Sequence, residues 1–164
     1  MTVEPYNAKQ KQVYFKAYAH LFLLENALKH IEEDVPNFQI SVLGKVAQFY
    51  LDKDIEVSKN SDPIRTYWEK TCNNTIAYGC LYNPQIGNIF IVGNLAPTFL
   101  YKIDDKTLGM LSAGPYGILR GIGANEIQVS THLKMLDNGN YILIFRGVKA
   151  DLEKYKILLE ENEK

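Results

Sequence analysis

Residues 126–145 read EIQVSTHLKMLDNGNYILIF and carry the clearest secondary-structure signal in the sequence. Up to Met135 the sequence alternates apolar and polar side chains, which is typical of a half-buried strand. The turn sequence DNGN follows at 137–140, and the apolar run 141–145 comes directly after it. Asn-Gly between two such runs is the strongest short-range signal of a β-hairpin. The stretch therefore predicts two antiparallel strands joined by a tight turn.

Two further hairpins are predicted upstream of this one. Their strands are rich in β-branched and aromatic residues and are separated by turn-forming residues. They comprise residues 75–82 with 89–92, joined by NPQIGN, and residues 98–103 with 107–111, joined by DDK. Because consecutive hairpins place neighbouring strands antiparallel, the chain predicts an antiparallel sheet of five or six strands.

Helices are predicted on both sides of this sheet in the sequence. Residues 8–35 predict a long helix, because apolar residues recur at spacings of three and four along one face. Residues 39–52 predict a second helix, and Asp62-Pro63 is typical of the start of a third over 63–72. Asp151 is a candidate cap for a last helix that ends near residue 161. The stripe of the first helix consists of Ala17, Leu21, Leu24, Leu28, Ile31 and Val35.

The predicted fold class is α+β, with N-terminal helices, an antiparallel sheet of five or six strands built from hairpins, and a C-terminal helix. We expect one domain over residues 1–164: helical over 8–72, sheet over 75–147 and a terminal helix over 151–161. The helices are expected to cover one face of the sheet. A length of 164 residues fits one domain, and no Pro-, Gly- or Ser-rich linker divides the chain.

Composition narrows the classes of function. The 18 basic and 19 acidic side chains give a formal net charge of −1, so nucleic acid is not an expected partner. No apolar run is long enough for a membrane span, and the N-terminus lacks a signal pattern, which predicts a cytoplasmic protein. Cys72 and Cys80 are expected to be free thiols. No zinc, phosphate-loop or nucleophile-elbow motif is present, and no cofactor or metal is expected.

The segment 112–125, SAGPYGILRGIGAN, is the most unusual part of the sequence. It holds four of the 11 glycines, and glycine permits close backbone approach. The segment therefore predicts a loop that either simply connects two hairpins or contacts a ligand or a partner. The partner-binding residues predicted here and on the adjoining hairpin are Tyr116, Arg120, Asn125, Gln128, His132 and Lys134.

The favoured function is a small protein-interaction module. Its most concrete form is an inhibitor or immunity-type protein of the bacterial kind, which docks on another protein such as a toxin. The 11 tyrosines favour recognition, because tyrosine is enriched at protein interfaces. This prediction leans against an enzyme, and it leaves strand order and oligomeric state open.

A metal-independent ribonuclease or nuclease toxin is the alternative. If residues 126–135 form a strand, Gln128, Ser130, His132 and Lys134 share one polar face. Such a face can supply a general acid or base for RNA cleavage and a cation that stabilises the phosphorane formed in that reaction. The candidate catalytic residues are His132, Lys134, Arg120, Arg146 and Tyr141. A small-ligand sensor with a tyrosine-lined pocket between sheet and helices is the second alternative.

Overall fold

The computed structural model describes residues 11–32, 39–56, 62–72 and 76–161. These residues form an α+β fold with seven α-helices, a five-stranded antiparallel sheet and a two-stranded ribbon. In chain order the elements are β1 (Lys11–Tyr18), α1 (Leu21–Glu32), β2 (Gln39–Lys45), α2 (Val46–Lys53), α3 (Pro63–Thr71), β3 (Tyr78–Asn83), β4 (Gly87–Gly93), α4 (Ala96–Leu100), β5 (Lys102–Ile103), β6 (Lys106–Thr107), a 3₁₀ turn (Leu108–Met110), α5 (Gly114–Gly121), α6 (Glu126–Asp137), β7 (Tyr141–Val148) and α7 (Lys149–Glu161).

The large sheet has the strand order β1-β7-β2-β4-β3, and each neighbouring pair is antiparallel. β1 pairs along its whole length with β7, so that Phe15 lies opposite Ile144. On its other side, β7 pairs with β2. β1 and β3 are the edge strands of this sheet.

Helices cover both faces of the sheet, so the prediction of a single covered face is wrong. Tyr141, Leu143 and Phe145 of β7 lie in one core with side chains from α1, α2, α3 and α7. Ile142 and Ile144 of the same strand lie in a second core with side chains from α4, α5 and α6. Because successive side chains of a strand point to opposite faces, an unbroken apolar run requires cover on both.

The predicted helices over 8–35 and 39–52 are each wrong in their first part. Residues 11–18 form β1, and residues 39–45 form β2. Only Leu21–Glu32 and Val46–Lys53 are helical, while residues 8–10 and 33–35 lie outside the described residues. The first strand is rich in β-branched and aromatic side chains, and pairing with β7 outweighs the helical spacing of its apolar residues.

The largest correction concerns residues 126–137, which form helix α6 and not a strand. The helix begins with a capping box: the Asn125 side chain accepts a hydrogen bond from the Gln128 N–H (2.8 Å), and Gln128 Oε1 accepts one from the Asn125 N–H (3.4 Å). Val129 and Leu136, seven residues apart, are buried, whereas Ile127 is 80% exposed. The helical period therefore decides which side chains are buried.

The DNGN sequence ends this helix and does not turn a hairpin. Gly139 adopts a φ of +99°, and its N–H donates to the Leu136 carbonyl at 2.9 Å. The Asn140 N–H donates to the Met135 carbonyl at 3.0 Å. These two bonds form a Schellman motif, in which glycine takes the left-handed position after the helix. The Asn-Gly pair at 138–139 can therefore end a helix as well as form a hairpin turn.

Segment 112–125 is also helical over Gly114–Gly121, where a loop was predicted. The predicted hairpin over 98–111 is confirmed only as the two-residue strands β5 and β6, which follow helix α4. The predicted helix at 63–72 is confirmed, with the Asp62 side chain accepting a hydrogen bond from the Arg65 N–H at 3.1 Å. The β3–β4 hairpin, strand β7 and the terminal helix are confirmed as well.

The Asp52 carboxylate ties three elements together at one end of the sheet. Its Oδ2 accepts hydrogen bonds from the Leu21 N–H at 3.1 Å and from the Tyr141 hydroxyl at 2.7 Å. Its Oδ1 accepts one from Gln48 Nε2 at 3.2 Å. Asp52 thereby satisfies a free N–H at the start of α1 from a position 31 residues away in sequence.

Because of this network, the free energy of unfolding depends on pH in the alkaline range. Burial raises the pKa of Tyr141 well above its usual range, and the hydrogen bond to Asp52 and the charge of Asp52 raise it further. The native state keeps this proton at pH values where the unfolded chain, with a tyrosine pKa of about 10, loses it. The stabilisation is therefore complete below pH ~10 and is lost as the pH rises above it.

We expect Tyr141→Phe to lower the free energy of unfolding at neutral pH by about 1–2 kcal/mol, because a hydrogen bond to a charged group is lost. Above pH ~10 the decline of the unfolding free energy with pH should be shallower than in the wild type by up to ~1.4 kcal/mol per pH unit. Urea unfolding at a series of pH values measures both effects. Tyr101→Phe, at an exposed ring, is the matched control, and equal pH dependence in the two variants would contradict the role given to Tyr141.

Candidate functional site

Helix α6 separates the side chains that were expected to share a polar face. Successive residues of an α-helix are rotated by about 100°, so Gln128 and His132 lie on one side of α6, whereas Ser130 and Lys134 lie on another. The His132 ring contacts its own helix, with Nδ1 2.8 Å from the Gln128 carbonyl oxygen. Since a carbonyl oxygen only accepts, Nδ1 carries the proton. The ring also lies edge-on to Phe15, with 5.1 Å between ring centroids.

Within the described residues, no hydrogen bond, ion pair or ring contact joins His132 to another of the candidate catalytic residues. Tyr141 belongs to the core on the opposite face of the sheet from α6. Arg146 Nη1 donates to Gln39 Oε1 at 3.4 Å, within the sheet itself. Arg120 lies on α5 and donates from Nη1 to the Tyr116 hydroxyl oxygen at 3.3 Å. The nuclease alternative therefore loses the shared face on which it was built.

A second polar cluster lies around Cys80 on the edge strand β3. The Tyr78 hydroxyl is 2.7 Å from Cys80 Sγ and donates to Asp62 Oδ1 at 3.1 Å, and the Arg65 guanidinium lies over the Tyr78 ring. Although the residue is exposed, its sulfur is partly shielded, and this desolvation raises the pKa of the Cys80 thiol. A raised pKa keeps the thiol protonated, which disfavours nucleophilic chemistry at this cysteine.

The surface around α5 holds two clefts that could bind a ligand or a partner. One, here called the polar cleft, contains the predicted residues Tyr116 and Lys134 together with Ser130. The other, here called the apolar groove, has a volume of about 570 Å³ and lies along the opposite side of α5. The apolar groove is lined by Thr98, Leu108, Leu111, Ala113, Gly114, Gly117, Ile118, Gly121 and Ile122. None of these described lining residues is charged.

Glycines of α5 shape the apolar groove in two different ways. A Cβ atom at Gly114 would overlap the Leu108 carbonyl oxygen, so glycine is required where α5 begins against the 3₁₀ turn. A Cβ atom at Gly117 or Gly121 would meet no other atom within 4 Å. These two positions therefore leave open space along the exposed side of the helix, and larger side chains fit there without disturbing the core.

Exposed apolar side chains cluster in the chain segment that leads to this groove. Tyr101 is 61% exposed, and Ile103, Met110 and Leu111 are also exposed although they are large and apolar. Leu111 lines the apolar groove, and Met110 precedes it in the 3₁₀ turn. Clusters of exposed apolar side chains of this kind often mark sites of interaction with another molecule.

Of the predicted partner-binding residues, only Tyr116 and Lys134 line one of these two clefts. Asn125 and Gln128 are engaged in the capping box of α6. Sequence reasoning singled out the α5 segment but missed Leu108 and Leu111, because they were assigned to a strand. Pro115 at the second position of α5, followed by Ile118 and Leu119 at helical spacing, was the signal that identifies a helix here.

Within the ranges that the structure describes, no three His, Cys, Asp or Glu side chains are placed to hold a metal ion. In the same ranges, no helix has the length and apolar character needed to cross a bilayer. Comparison with protein-family models, with curated proteins and with solved structures finds no match to this chain.

Proposed function

We propose that this chain is a protein-interaction module that binds an uncharged, apolar segment of a partner protein in the apolar groove. The observation that carries this proposal is an open groove of about 570 Å³, next to exposed apolar side chains, in which no lining residue that the structure describes is charged. Burying a charged group there would leave it without a partner, which disfavours charged ligands. The segment that binds is accordingly apolar.

The energetics support a macromolecular partner. Full burial of one leucine or methionine side chain contributes about 1.5–3 kcal/mol. Met110 and Leu111 each have somewhat under half of their surface exposed, so a partner gains only part of that amount at each residue. Association costs of about 4 kcal/mol or more must then be offset by several such contacts. A partner protein that also covers Tyr101 and Ile103 makes enough apolar contacts to offset this cost. A small ligand confined to the groove does not.

The specific form that we propose is an inhibitor or immunity-type protein that covers a functional surface of its partner, a toxin being the favoured example. Two features support it: the formal net charge of −1 and the exposed apolar side chains of the segment that leads to the groove. A near-neutral protein of this kind recognises its target by shape and apolar contact more than by charge.

Gly117→Leu and Gly121→Leu are expected to fill the groove and to weaken partner binding by at least tenfold, while the fold stays intact. Leucine is also a better helix former than glycine by about 0.5–1 kcal/mol, so neither variant should lose stability. The measurement is capture of partners from a lysate of the source cells on tagged wild-type and variant protein, followed by titration with the captured partner.

Asn26→Leu is the matched control, because it places the same side chain at an exposed site on α1, on the opposite face of the sheet. The proposal holds if wild type and N26L capture one protein near equal stoichiometry and both groove variants lose it. Equal capture by all four proteins contradicts it. Self-association of the wild type that G117L abolishes also contradicts it, since the groove then binds a second copy.

His132→Ala is expected to leave partner binding unchanged, because the ring contacts Phe15 and its own helix and does not line the groove. Loss of these contacts should lower the free energy of unfolding by about 1 kcal/mol. Titration with the captured partner and urea unfolding measure the two effects. RNA cleavage by the wild type without added metal, lost in H132A, would favour the nuclease alternative instead.

A further inference from the structure

The polar cleft lies between the start of α5, the side of α6 that carries Ser130, and the turn that joins β3 to β4. Its volume is about 470 Å³, within the range of about 300–1,000 Å³ that small-molecule sites occupy. It is lined by Gln85, Ile86, Ser112, Ala113, Pro115, Tyr116, Ser130, Leu133, Lys134 and Asp137. Apart from Ala113, none of these residues lines the apolar groove.

The cleft presents several hydrogen-bond donors that are not used within the protein. In the part of the chain that the structure describes, the Lys134 ammonium and the hydroxyls of Ser112 and Ser130 have no hydrogen-bond or ion-pair partner. The Tyr116 oxygen accepts a hydrogen bond from Arg120, which leaves its own proton free to donate. A ligand that satisfies these groups must supply acceptors.

The charge of the cleft favours an anion. Among the lining residues that the structure describes, Asp137 is the one acidic residue, and Lys45 pairs with it: Lys45 Nζ is 3.3 Å from Asp137 Oδ1 and 3.0 Å from the Asp137 carbonyl oxygen. Lys134 therefore provides the positive charge that a ligand meets. An ammonium group beside hydroxyl donors binds carboxylates and phosphates through charge-assisted hydrogen bonds.

The floor of the cleft is apolar. Ile86 and Pro115 are buried, and Leu133 is partly buried among the side chains of the second core. A ligand with an apolar body can cover these side chains while its charged group reaches Lys134. Pockets of this composition, with a mostly apolar wall and a few polar groups, are typical of small-molecule sites.

We propose that the polar cleft binds a small organic anion, with its carboxylate or phosphate at Lys134 and the adjacent hydroxyls and its apolar body on Ile86, Pro115 and Leu133. This site is separate from the apolar groove and does not depend on the function proposed for that groove. It gives the protein a place where a small metabolite of this class binds one side of α5 while the other side remains free for a partner protein.

The test is an NMR titration of the full chain with benzoate, phenyl phosphate, benzyl alcohol and benzylamine. Benzoate and phenyl phosphate should shift the amide signals of Ser112, Ser130 and Lys134 in a saturable manner, with Kd values of ~1–10 mM. Benzyl alcohol, with the same ring but no charge, should bind about tenfold more weakly, and benzylamine more weakly still. The ratio of the two anion affinities tells a carboxylate site from a phosphate site.

Two pairs of variants locate the site. Lys134→Gln should weaken binding of both anions about tenfold and leave benzyl alcohol unchanged, whereas Lys102→Gln, at an exposed lysine outside the cleft, should change neither. Ser130→Phe should fill the cleft and abolish binding of every probe, whereas Thr131→Phe, at the next exposed position of α6, should not. G117L should leave all four affinities unchanged.

Four results would overturn the proposal. The first is equal affinity for benzoate and benzyl alcohol, and the second is equal loss in K134Q and K102Q. The third is the absence of saturable shifts, and the fourth is shifts confined to residues outside the cleft. Loss of partner capture without loss of anion binding would count against the apolar groove alone, so the two proposals fail separately.

Discussion

The apolar runs of strands β7 and β4 determine how the helices must pack in this fold. Tyr141–Phe145 and Ile89–Val92 are buried on both faces of the sheet. Because side chains of a strand alternate between faces, neither run can be covered from one side alone. Helices cover both faces of the sheet: α1, α2, α3 and α7 pack on one face, and α4, α5 and α6 pack on the other. Helix α5 thus lies on the second face, where its outer side forms the two clefts.

Elements whose local signals agree with their tertiary setting were predictable from the sequence. Asp62-Pro63 predicts a helix start, and the structure uses both residues in that way. The β3–β4 hairpin, strand β7 and helix α7 follow their sequence patterns, and the lone Trp68 lies in the core as a large aromatic residue is expected to. The α+β class was predictable for this reason, although the location of the helices on both faces was not.

Elements whose local pattern fits two structures were not predictable. The apolar residues of 126–135 alternate as in a strand, yet Val129 and Leu136 also stand seven apart as in a helix, and the capping box at Asn125 favours the helix. Asn138-Gly139 is typical both of a hairpin turn and of a helix end, and in this structure it forms the Schellman motif. Of the candidate site, Tyr116 and Lys134 were found, but Leu108 and Leu111 were not, because their role depends on the packing of the 3₁₀ turn against Gly114.

In the function that we propose, the partner binds along the apolar groove beside α5. Amide hydrogen exchange, measured by mass spectrometry on the free protein and on its complex with the captured partner, shows which residues the partner covers. We expect slower exchange in residues 108–122 on binding, since these residues would be covered, and unchanged exchange in β1 and α7. Slower exchange confined to β1 or α7, with residues 108–122 unchanged, would contradict it.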